Sequence, residues 1–273
     1  MPTFETPGTV ALDIRLPAGR IVLGSWEEPR TDVELVGRGR RGEEAVERIV
    51  VSAREVPGGH VVSIEQHDRF RWGPIGISWG EDVEVRVSCP AGADIEFAGA
   101  SSDLSAAGSY GRVSAKTASG DLRLGDIAGK LEAKTASGDV TVKAVAMESA
   151  VTTVSGDVVV ERVEAPIAVR TVSGDVELGG ASAPATVQTT SGDVALRSVA
   201  GGEVRVQTVS GDARVGIAEG TAVWMDATSV SGELRSELGM VEEAPDGTEA
   251  DVVPLHVKTV SGDVAFVRAA VRA

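Results

Sequence analysis

A tripeptide, Ser-Gly-Asp, returns through the chain at near-constant spacing, and that register limits the fold more than any other feature. The glycines are Gly120, Gly138, Gly156, Gly174, Gly192, Gly211, Gly232 (Ser-Gly-Glu here) and Gly262, at intervals of 18, 18, 18, 18, 19, 21 and 30 residues. A degenerate copy, Ser101-Ser102-Asp103, stands 18 residues before the first. Five residues before the glycines come Ala115, Ala133, Val151, Val169, Val187, Val206, Ala227 and Val257, and three before comes threonine or serine, Thr117 to Thr259. Two after come Leu122, Val140, Val158, Val176, Val194, Ala213, Leu234 and Val264. Apolar positions two apart within each arm have the period of a strand. Ser-Gly between the arms is a turn pair whose glycine can adopt a positive φ. One such unit cannot bury its apolar face alone, but units stacked about 4.8 Å apart can. The expected fold is all-β: a single-stranded parallel β-solenoid of about nine 18-residue coils, right-handed by the usual crossover chirality.

Composition agrees with a thin interior. Aromatics are 3% of the 273 residues, so Val, Leu, Ala and Thr must fill the core. A coil of this perimeter leaves no room for an enclosed ligand cavity. Asparagine is absent, which removes Asn ladders from the stacking devices available. The formal charge of −15 argues against nucleic acid and against an anionic membrane surface. No apolar run approaches the roughly 20 residues of a spanning helix, and Met1–Glu5 shows no secretory signal, so a cytoplasmic location is expected. Cys89 is the sole cysteine and forms no intrachain disulfide.

Residues 1–100 lack the tripeptide and are expected to form a β-rich cap continuous with a solenoid over 101–273. They hold a pseudo-repeat of their own: Val10–Gly19 and Val83–Gly92 are alternating strands ending in Pro-Ala-Gly, followed by Ile21/Leu23 and Ile95/Phe97. Further strands are expected at Asp32–Val36, Arg48–Ala53 and His60–Gln66. The stretch Glu237–Pro254, rich in Glu, Asp, Pro and Gly, reads as a surface insertion. The coil ending at Phe266 is followed by only seven residues, so its open edge is a candidate surface for self-association or a protein partner.

The repeated carboxylates Asp121, Asp139, Asp157, Asp175, Asp193, Asp212, Glu233 and Asp263 are the sharpest chemical candidate. Neighbours 4.8 Å apart repel by about 0.9 kcal/mol in bulk water, whereas a turn N–H bonded to a carboxylate returns about 1.5–3 kcal/mol. A structural turn role for these residues and their glycines therefore needs no cation. Calcium is disfavoured: it requires 6–8 oxygen ligands, and one acidic corner per coil supplies too few. The repeat serines have no placed base to make them nucleophiles, since His60, His67 and His256 fall outside the repeat. No catalytic residue, metal or cofactor is expected. Two partner-surface candidates remain. The position two before each glycine (Val154, Val172, Val209, Val230 and Val260 among them) either points outward as an apolar stripe or tucks in where the chain bends. The aromatic loop containing Trp72, Ile75, Ile77 and Trp79 either anchors a partner or plugs the end of the solenoid.

The repeated segments Val154–Val158, Val172–Val176, Val209–Ala213 and Val260–Val264, together with Leu16–Gly19, resemble the DUF4097 family over most of the chain. Its bacterial members are named as candidate adhesins and are related to the toast-rack domains of envelope-stress systems. The resemblance implies a β-solenoid, an envelope or stress setting, and no known catalytic residues. A non-enzymatic scaffold or binding protein is the expected function. A cytoplasmic protein that self-assembles through its solenoid end is the alternative, and a calcium-binding β-roll comes after it.

Overall fold

The computed structural model describes residues 2–67, 83–238 and 252–269. Trp72, Ile75, Ile77 and Trp79 lie outside the described residues, as does most of the insertion before Pro254. The architecture is the expected all-β solenoid class, with extensive parallel ladders and, among the described residues, one helix, Gly39–Val46. Two compact units divide the chain, Met1–Val142 and Lys143–Ala273.

The first unit is organised by an 18-residue strand, Thr9–Trp26, that turns at Pro17-Ala18-Gly19. Gly19 has φ +125°, and a Cβ there would lie 2.6 Å from the Val83 carbonyl oxygen, so glycine is required on both counts. The two arms of this strand choose different neighbours. Thr9–Arg15 runs parallel to Gly59–Glu65, and Arg20–Trp26 runs parallel to Glu84–Pro90. The strand Asp94–Tyr110 follows both arms, from Ala11↔Asp94 to Gly24↔Ala107. The two Pro-Ala-Gly copies therefore do not stack like on like. The second arm of the first copy lies beside the first arm of the second. Antiparallel pairing joins Arg30–Gly37 to Val83–Pro90, and Ile49–Val56 to Gly59–Gln66. The short helix has no apolar strand alternation to resist it and is supported by an Arg40–Glu44 pair one turn apart. Within this unit the coil repeat begins: Val113–Lys116 pairs in parallel with Ile95–Ala98 on one side and Leu131–Lys134 on the other.

The second unit contains only parallel pairs among its described strands. One arm is Ser149–Thr152, Ile167–Arg170, Ala185–Gln188 and Val204–Gln207; the other is Val158–Val163, Val176–Ala181, Val194–Val199 and Ala213–Ile217. Val151, Val169, Val187 and Val206 form one interior column, and Val158, Val176, Val194 and Ala213 another, all at most 1% exposed. Burying a valine fully contributes about 1.5–3 kcal/mol, so these columns are the main source of cohesion.

The order of the last two coils corrects the sequence expectation. Val204–Gln207 pairs with Val253–Ser261, the later segment, and Val223–Ser231 pairs on the far side of that one. Ala213–Ile217, Val264–Arg268 and Leu234–Ser236 follow the same order. The coil of Gly262 is thus sandwiched, and the coil of Gly232 is outermost. Val264 and Phe266 are buried, whereas Leu234 is 53% and Val230 76% exposed. The long connection from Ser236 to Val253 provides the chain length to pass one strand spacing and return.

Candidate functional site

The acidic corners form a hydrogen-bonded ladder. In the first unit, Asp121 N–H donates to Asp103 Oδ1 at 3.0 Å and Asp139 N–H to Asp121 Oδ1 at 3.1 Å. In the second, Asp175 donates to Asp157, Asp193 to Asp175, Asp212 to Asp193, Asp263 to Asp212 and Glu233 to Asp263, at 2.8–2.9 Å. Each carboxylate thereby offsets its repulsion from the next with a charge-assisted bond across the coil spacing. Glu233 ends the ladder and turns its carboxylate to Arg235.

The glycine column answers to a constraint that spacing alone does not reveal. A Cβ on Gly138 would lie 1.9 Å from the Gly120 carbonyl oxygen, and one on Gly174 would lie 2.1 Å from that of Gly156. Gly192, Gly211, Gly262 and Gly232 meet the same obstacle, each from the coil beneath it in space. Positive φ is confined to Gly192, Gly211 and Gly262, at +148° to +159°. Close stacking of corners, more than turn conformation, demands glycine. The corner itself has two forms. Gly120, Gly138 and Gly156 donate their N–H to the hydroxyls of Thr117, Thr135 and Thr153. Gly192 and Gly211 donate instead to the Ser210 and Ser261 carbonyls of the neighbouring coil. That leaves the buried Thr189 and Thr208 hydroxyls without a hydrogen-bond partner.

The valines two before the glycines point outward. Val154, Val172, Val209 and Val260 are 46–50% exposed, half-covered by their neighbours up and down the stack. The stripe is bordered along each coil by the exposed serine and the acidic ladder. In the outermost coil the apolar exposure broadens to Trp224, Met225, Val230 and Leu234. Among the described residues nothing pairs with the free edges of Val223–Ser231 and Leu234–Ser236.

His256 gains company from the exchanged coil order. Its Nδ1 lies 3.4 Å from Asp226 Oδ2, its Nε2 lies 3.6 Å from Glu203 Oε1, and Trp224 meets the ring edge-on at 5.4 Å. Arg205 donates to Glu203 and, with a smaller contribution from His256, holds that carboxyl below the usual carboxylate range. Sequence spacing missed this group because Glu203 and His256 become neighbours only through the inverted stacking, which puts His256 between Asp226 and the Arg205 coil. The other histidines are placed apart: His60 Nδ1 faces the Pro7 carbonyl at 3.1 Å, and the His67 backbone N–H donates to Arg48. Among the described residues, no three His, Cys, Asp or Glu side chains could together hold a metal ion. Cys89 is fully buried, and burial pushes its thiol up to about 12.

With this geometry in place, the family is decided by the match of residues 46–266 to the family described as Toastrack DUF4097. The chain belongs to the toastrack DUF4097 family. Similar solved structures include candidate adhesins from Parabacteroides distasonis (11% identity, 97% of this chain and 95% of that one, TM-score 0.43) and Parabacteroides merdae (11%, 98% and 94%, 0.39). A third, from Bacteroides fragilis, shares 12% identity over 97% and 95%, with a TM-score of 0.35. No curated protein matches. In this toastrack chain the repeated carboxylates make bonds along the stack, while the repeated apolar residues divide between a closed interior and an exposed stripe. No helix among the described residues is long and apolar enough to cross a membrane.

Proposed function

We propose that this toastrack protein is a non-enzymatic scaffold that presents a regular outer surface to protein partners at the bacterial envelope. The observation that carries the reading is the ladder: the one repeated array of chemically capable side chains is committed to backbone N–H groups of adjacent coils. The exposed valine stripe beside it is the surface such a scaffold would offer. The candidate-adhesin names of the similar structures support a binding role. Photo-crosslinkers placed at Val172 and Val209 in the encoding organism test it. Adducts with an envelope protein are expected; fractionation with the cytosol and no adduct at either position would overturn it.

A second reading is favoured by the outermost coil. Strand edges that are unpaired among the described residues, with Trp224, Met225 and Leu234 exposed beside them, invite another β-edge. Sedimentation velocity across a concentration series should show association that Leu234→Arg abolishes. A wild-type protein that stays monomeric throughout would sink this reading.

A further inference from the structure

We infer that the outer face of the second unit carries a binding groove for an extended acidic peptide segment. It rests on the reading of the chain as a binding module and names one place where that binding occurs. The groove has a volume of about 750 Å3, within the range of about 300–1,000 Å3 usual for ligand sites. It crosses the strands Val158–Val163, Val176–Ala181, Val194–Val199, Ala213–Ile217 and Val264–Arg268.

The floor is low because three glycines stand where other coils place side chains. Two of them serve the fold. A Cβ on Gly179 would lie 2.1 Å from the Glu161 carbonyl oxygen, and one on Gly216 would lie 2.1 Å from that of Arg197. Gly180 is different. A Cβ there meets nothing within 4 Å, and its φ lies outside the left-handed region. Its register neighbours are Arg162 and Ser198, which carry side chains at that level. The fold does not require glycine at 180; the groove does.

The walls supply charge in a chain whose net charge is −15. Arg197, Arg214 and Arg268 come from three strands adjacent in space. Arg197 is held by Glu177. Arg214 and Arg268 have no carboxylate partner among the described residues. Leu196 pairs with Val215, so Arg197 stands two strand positions beyond Arg214. Two positions span about 7 Å, the separation of alternate side chains on an extended chain. Glu161 and Glu219 at the margins oppose an unbroken polyanion and favour a ligand with a few spaced carboxylates. Val159 and Ala195, part-exposed on the outer face, add apolar contact between the charged positions, as a peptide backbone with alternating side chains needs.

The test is fluorescence anisotropy with the labelled peptide Glu-Ala-Glu-Ala-Glu and its Gln-for-Glu counterpart, using the full chain. The acidic peptide should bind and the Gln peptide should not. Arg214→Gln with Arg268→Gln should weaken binding about ten-fold or more, the loss expected for one charge-assisted hydrogen bond. Gly180→Phe, which fills the groove without meeting the fold, should abolish binding while leaving the melting temperature unchanged. Undiminished binding by Gly180→Phe, equal binding of the two peptides, or no binding at millimolar concentration would each overturn the proposal. None of these results would remove the valine-stripe crosslinks, so the groove and the scaffold reading fail separately.

Discussion

Asp263 accepts the backbone N–H of Glu233 at 2.8 Å, although Glu233 comes thirty residues earlier in the chain. Asp263 itself donates to Asp212. The ladder therefore runs 212, 263, 233, and among the described residues the unpaired edge belongs to the Gly232 coil rather than to the later Gly262 coil.

This order predicts opposite sensitivities at two equivalent repeat positions. Val264→Arg buries an unpaired charge and should cost about 4 kcal/mol or more. Leu234→Arg, at a half-exposed site, should stay within about 1 kcal/mol. Urea unfolding of both variants decides between this order and simple sequence order, which would reverse the ranking.

The glycines divide into those the stack requires and one it does not. Gly174→Ala forces a methyl against the Gly156 carbonyl and should destabilise by about 3 kcal/mol. Gly180→Ala should be neutral or stabilising by about 0.5 kcal/mol through the unfolded chain. Equal effects in thermal melts would contradict the close approach of the corners.

The ladder needs an acceptor oxygen more than a charge. Asp175→Ala should lose about 1.5–3 kcal/mol, while Asp175→Asn, which keeps an oxygen for the Asp193 N–H, should lose less than about 1 kcal/mol. Millimolar calcium should leave the melting temperature of the wild type where a chelator leaves it. A calcium-dependent rise would give the carboxylates a second task.

Threonines in the two corner forms should behave differently. Thr153→Val removes the acceptor for Gly156 N–H and should cost about 1 kcal/mol. Thr189→Val removes a buried hydroxyl that has no partner and should be neutral or stabilising. A matching loss at both positions would mean the hydroxyl at Thr189 is bonded after all.

Cys89 provides a pH test. With its thiol raised to about 12 by burial, it stays protonated at pH 8 in the folded protein. Ellman's reagent should label it only after denaturation, and rapid labelling of native protein would show that the strand Val83–Pro90 opens.

Much of the architecture was legible in the spacing of Ser-Gly-Asp. Constant period and alternation together placed Val151, Val169, Val187 and Val206 in one column before any coordinates. The reason is local: a parallel stack translates identical positions onto one another, so sequence register becomes spatial register. That logic breaks where the period breaks. The 30-residue interval before Gly262 hid the exchange of the last two coils, and with it the approach of His256 to Glu203. The Pro-Ala-Gly spacing likewise gave no pairing, and it did not reveal that the second arm of the first copy lies beside the first arm of the second. The groove was invisible because glycines at 179, 180 and 216 look alike in sequence, and only the surrounding atoms tell which one is free to change.

The sandwiched position of Val253–Arg268 also bears on how the molecule is made. Until those residues leave the ribosome, the ledge on Val204–Gln207 and Ala213–Ile217 stands vacant, and the already synthesised 223–236 segment carries the same alternation that would fit it. Correct assembly requires the later segment to win that berth, so a competing arrangement with two neighbours swapped is built into the order of synthesis.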